Sequence, residues 1–256
     1  MAIDLATRGH DVVLTARSVD GGATFDGTSR GDDLAGEPLS GSIAETAAEC
    51  RRVAGNCRVS CVAMNLVDES SVRAAARRAV AEFGRVDALV SNAIYQGPGV
   101  NDPIDQLPTE LLRRVIEGDA VAPMVLLSEL LPGMLSARRG VFVHLTSGAA
   151  TLVPKAPTGR GGWGVAYAMA KGAAHRIAGV LHAEHFDDGI RAYSVNPGHV
   201  TTEVMRRRAE LAGREVTGNG PDDTVATIAW LLAGDDEAVA MSGREVVARD
   251  VAARLR

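Results

Sequence analysis

The chain has 256 residues, 46% of them hydrophobic but only 4% aromatic, and a formal net charge of -5. That length suits one large α/β domain whose core is built mainly from Ala, Val and Leu. The acidic balance counts against a nucleic-acid or anionic-membrane partner, since neither finds the basic field it needs.

The opening, "MAIDLATRGHDVVLTARS", reads as the end of an amphipathic helix (Ile3, Leu5, Ala6) stopped at Gly9 and feeding a buried strand over Asp11–Ala16. Gly21–Gly41, rich in Gly, Asp and Ser, reads as a surface loop. Ser42 with Glu45 makes a capping box ahead of the next helix. Asp68 and Thr109 are expected to cap the two after it.

Further strands are expected over Arg58–Ala63, Val86–Ser91, Val141–Thr146, Ile190–Val195 and Glu245–Ala248. Most are continuous apolar or β-branched blocks, as strands covered on both faces require. Strand and helix alternate throughout, which predicts a single doubly wound, Rossmann-like parallel sheet with helices on both faces, in one domain spanning 1–256.

Three cysteines (Cys50, Cys57, Cys61) form no zinc-type spacing, so no metal site is expected, and they read as ordinary thiols of a reducing cytoplasm. The N-terminal residues lack the basic, apolar and small-residue order of a secretory leader. The longest apolar stretch, "VAPMVLLSELLPGML", is broken by Glu129 and two prolines, so no membrane span is expected. The run Arg206–Arg208 has Glu203 and Glu210 nearby and reads as a solvated helix face.

The chemistry concentrates in "YAMAK", where Tyr167 and Lys171 lie four apart and share one helix face. An ammonium beside a phenol favours the phenolate, which suits proton exchange with an alcohol or carbonyl. Three strands end in polar residues, at Ser91-Asn92, at Thr146-Ser147 and at Asn196-Pro197-Gly198. In an α/β sheet that edge is the ligand crevice.

Ser147, then "YAMAK", then "NPG" after the next strand, with "SNA" earlier in the chain, resembles the short-chain dehydrogenase/reductase family over essentially the whole sequence. The resemblance implies an oxidoreductase that moves hydride between a nicotinamide cofactor and a small alcohol, ketone or aldehyde. It implies Tyr167 as general acid or base, Lys171 as the group that lowers its pKa and holds the nicotinamide ribose, and Ser147 as the orienting hydroxyl. Pro197, Gly198, Val200 and Thr202 would line the nicotinamide end, and Asn65, Leu66, Asn92 and Ala93 the adenosine end. Arg17 and Ser18, where an acidic residue would bind the ribose of NAD, favour the 2′-phosphate of NADP instead. Paired apolar helices imply a homodimer or homotetramer.

Three departures stand out. The family's relay asparagine falls at Asp119, whose charge would oppose tyrosinate formation. The stretch between Ser147 and Tyr167 is long and contains "GRGGWG" (Gly159, Gly161, Gly164), expected as a substrate loop and not a phosphate loop. Met1 falls just after the family's glycine-rich turn, so a natural start roughly 15 to 25 residues upstream is expected, and without that first strand two central strand edges lack partners. His199–Gly220 is expected to cover the substrate. Rival readings on the same scaffold are a non-catalytic remnant and a lyase, epimerase or dehydratase.

Overall fold

The protein is described by a computed structural model covering residues 1–211, 213, 215 and 218–256, with side chains described for all of these but Val204 and Arg208. The lid expected over His199–Gly220 therefore lies partly outside the described residues, as does the side chain of Arg208. Among the described residues, six parallel strands alternate with helices: β1 (Val12–Ala16), β2 (Val59–Ala63), β3 (Ala88–Ser91), β4 (Gly140–Leu145), β5 (Ile190–Asn196) and β6 (Glu245–Val247). Each lies within two residues of its sequence-expected span, because a buried parallel strand must be apolar on both faces.

The sheet is doubly wound, but its hydrogen-bond ladder is parted. β1 pairs only with β2, while β3, β4, β5 and β6 pair in that order. The β1 and β3 edges are not joined, in keeping with two strand edges lacking partners.

The helices before β4 are α1 (Ala2–Thr7), α2 (Ile43–Val53), α3 (Glu69–Phe83), α4 (Thr109–Ile116) and α5 (Ala122–Ser136). After it come α6 (Val165–His185), α7 (Glu203–Leu211), α8 (Asp222–Ala233), α9 (Asp236–Ala240) and α10 (Ala248–Leu255). α1 ends before Gly9, whose φ of 87° needs a glycine. Ser42 Oγ accepts from Glu45 N–H at 3.0 Å, and Asp68 accepts from Ser71 N–H at 3.2 Å, so both expected caps form. The third does not. Pro108 occupies the cap of α4 and Thr109 is its first helical residue, because proline's fixed φ already suits that turn.

All six residues of β4 are buried. Val141, Val143 and Leu145 pack with Tyr193, Ile228 and Val251 on one face. Phe142, on the other, packs with Leu127, Met134, Ala174 and Ala178 of α5 and α6. Thr109–Ser136 is long and apolar enough to cross a membrane by length and composition, and half of its most apolar 18-residue window is buried.

The Gly21–Gly41 segment departs from a plain surface loop. Phe25 and Leu34 are buried, Arg30 pairs with the buried Asp102 at 3.2 Å, and Asn101 N–H donates to Thr28 O at 2.8 Å. Long-range contacts of this kind leave no periodic trace in sequence.

Candidate active site

Ser147 follows β4 at the carboxyl edge of the sheet, where its Oγ accepts from Ala149 N–H at 3.2 Å. Tyr167 lies in the first turn of α6, close enough to Ser147 for that side chain to favour its phenolate. Lys171, one turn on, is 3% exposed, with Nζ 5.9 Å from the centre of the Tyr167 ring. The triad read from the sequence is brought together.

Its electrostatics correct one expectation. The Lys171 ammonium was expected to acidify the phenol; instead burial pushes the Tyr167 pKa up, with Ser147 opposing and Asp119 adding to the rise. Lys171 donates to the Leu145 carbonyl at 2.6 Å, and burial brings its pKa down to about 8 against the pull of Asp119.

Asp119 sits in a wide helical turn, Glu117–Val121, between α4 and α5. Its Oδ1 accepts from Tyr95 N–H, while Oδ2 is buried without a partner. Gly118 permits this approach, since a Cβ there would lie 2.6 Å from Tyr95 Cβ. Burial raises the Asp119 pKa to about 6, opposed by the Tyr95 amide and by Lys171. A buried acceptor with a free oxygen beside a buried lysine can hold and pass a proton.

The sequence did not single out His144. Its Nε2 also lacks a partner, and burial, then Lys171 and His175, lowers its pKa to about 3, keeping the imidazole neutral. Beside it, His175 Nδ1 lies 3.0 Å from Thr146 Oγ1.

On the far side, a cavity of about 340 Å³ opens at the carboxyl ends of β1, β2 and β3, lined by Arg17, Asn65, Leu66, Ala93 and Tyr95 among others. An apolar wall with an amide and a guanidinium at its rim fits the adenosine end of a dinucleotide. Ser18 and Asn92 are exposed and do not line it.

Pro197 and Val200 are half-buried and Gly198 and Thr202 exposed. The Gly198 N–H donates to Asn196 Oδ1, and Thr202 accepts from Met205 N–H at the start of α7. Gly159 and Gly161 have positive φ and stand clear of any neighbour, as in an open loop, while Gly164 caps α6 against Val100 O.

Asp26 and Tyr95, unforeseen from the sequence, line the cavity at the ends of β1, β2 and β3, and with Arg114 they line a second one beside it.

Residues 37–212 match a family model described as short chain dehydrogenase. The chain is 29% identical over 219 residues to the 2-(R)-hydroxypropyl-CoM dehydrogenase of Xanthobacter autotrophicus, covering 81% of this chain and 84% of that one. It is 32% identical over 203 residues to the cis-4-hydroxycyclohexanecarboxylate dehydrogenase of Sinomonas cyclohexanicum, covering 75% and 77%. The crystal structure of levodione reductase superposes with a TM-score of 0.75 at 19% identity, covering 96% of this chain and 89% of that one, a likeness of fold.

Proposed function

The chain belongs to the short-chain dehydrogenase/reductase family, and from that membership we propose that this oxidoreductase interconverts an alcohol and a ketone or aldehyde, with NADP ahead of NAD as its cofactor. When bound, the nicotinamide supplies or accepts the hydride. Tyr167 Oη gives or takes the proton at the substrate oxygen, and Ser147 Oγ donates a hydrogen bond to that same oxygen. Lys171 holds positive charge beneath the phenol and reaches the cofactor ribose, while the free Oδ2 of Asp119 accepts the relayed proton. Arg17 faces the 2′-phosphate, and Pro197, Gly198, Val200 and Thr202 border the nicotinamide.

The observation that carries this reading is Tyr167 set beside Ser147 at the tip of β4, with a buried lysine one helical turn away. Its test is a screen of ketones and aldehydes with NADPH and NADH. Tyr167→Phe should cut turnover by about 10²–10⁴-fold while cofactor still quenches or enhances fluorescence. Equal turnover in the variant would end the assignment.

A second reading, nucleotide binding without turnover, is favoured by the raised Tyr167 pKa and the Asp119 charge. It predicts cofactor binding with no NADPH oxidation across the same panel at any pH.

Met124, Met169 and Val180 are about half exposed on α5 and α6, an apolar surface suited to a homodimer or homotetramer. The three free thiols suit a cytoplasmic setting.

A further inference from the structure

Arg17, Asp26, Asn65, Tyr95 and Arg114 share a cavity of about 270 Å³ beside the adenosine crevice. Asp26, on the loop after β1, pairs with the Arg17 guanidinium. The Arg114 guanidinium lies 5.8 Å from the centre of the Tyr95 ring, and no described carboxylate pairs with it. Two cations thus face one anion across Tyr95.

Arg17 and Asp26 keep 54% and 34% of their side-chain surface exposed, so water weakens their attraction. The loop does not depend on that pair. Phe25 is buried beside it, and Arg30 and Thr28 tie it to Asp102 and Asn101. Asp26 can therefore turn away without undocking the segment. Released, it leaves two planar guanidinium forks and a phenol, a donor set that matches a phosphate monoester in charge and geometry.

We propose that this cavity is a phosphomonoester subsite for the cofactor's 2′-phosphate, with Asp26 as the internal anion the phosphate displaces and Arg114 as the second cation that receives it. The inference rests on the adenosine end lying along the tip of β1. It makes Asp26, and not Arg17 alone, the residue that sets discrimination between phosphorylated and unphosphorylated cofactors.

The test is calorimetric titration of the wild type, Asp26→Asn, Asp26→Ser and Arg114→Met with NADPH and NADH, and with adenosine 2′,5′-bisphosphate and adenosine 5′-monophosphate. Removing the Asp26 charge should tighten NADPH and the bisphosphate by about three- to fivefold, and shift NADH and the monophosphate by less than about twofold. Arg114→Met should weaken the two 2′-phosphorylated ligands by about tenfold and spare the other two. Equal shifts within each pair, or none, overturn the subsite while leaving the oxidoreductase reading intact. If the pattern appears with the adenosine phosphates but neither dinucleotide binds, the subsite stands and the nicotinamide reading falls. Absence of binding by all four ligands to every variant sinks both.

Discussion

The two sheets differ in how they treat charge. In the four-stranded sheet every residue of β4 is buried, and the ionisable groups at its tip (Asp119, His144 and Lys171) are buried with it. Their pKa values move because burial penalises the charged form, which gives Asp119 about 6, Lys171 about 8 and His144 about 3. In the two-stranded sheet no residue of β1 is fully buried, and charges are met by exposed ion pairs such as Arg58–Asp11 and Arg17–Asp26. One half tunes proton affinities by excluding water, and the other holds its charges in solvent, where they exchange partners easily.

Core truncation should break this comparison most visibly. Phe142→Ala, in the four-stranded half, should cost about 3–5 kcal/mol, whereas Leu14→Ala, in half-buried β1, should cost about 1–2 kcal/mol. Paired denaturant melts measure both, and equal losses would mean the two halves are packed alike.

Asp119→Asn should sharpen the contrast next. The carboxyl titrates at about 6 in the folded chain against an ordinary 3.8. Between those values the folded state keeps a proton that the unfolded chain has released, so stability falls as pH rises through that window. Asparagine should abolish the slope and add up to about 3 kcal/mol at pH 7, offset in part by lost attraction to Lys171. Because Asp119 also pushes Tyr167 up, the optimum for alcohol oxidation should move to lower pH. Equal pH dependence of melting in the wild type and Asp119→Asn from pH 4 to pH 7 would contradict the burial argument.

The smallest effect belongs to the seam between the halves. Glu129 of α5 receives Arg73 and Arg77 of α3, whose hydrogen bonds bring its pKa down to about 2. Glu129→Gln should lower the melting temperature slightly at neutral pH. The difference should vanish as pH drops from the ordinary 4.5 through 2, where the wild-type carboxylate takes up its proton.

Much of this arrangement was legible in the sequence. Strand spans could be read because parallel strands need uninterrupted apolar residues, and two caps because Ser42 and Asp68 act on neighbours three residues on. Thr109 misled because proline can start a helix without a side-chain bond. The Ser147–Tyr167–Lys171 order was readable since two of its members sit on consecutive turns of one helix and the third follows a strand.

Asp26 was not legible, because its partner Arg17 is reached only after the loop has docked through Phe25 and Arg30. Nor was the sign of the Tyr167 shift, which depends on how much water is removed around the phenol and not on which residue stands four places away.

Local order, then, was determined by the sequence alone: which segments are strands, where helices begin, and which residue types reach the sheet's carboxyl edge. Tertiary structure alone decided the parted ladder, the loop folded beside the cavity at the tip of β1, and the proton affinities of the buried groups. The reason is range. Periodicity and capping act over a few residues, whereas desolvation and ion pairing sum over neighbours that only the folded chain assembles.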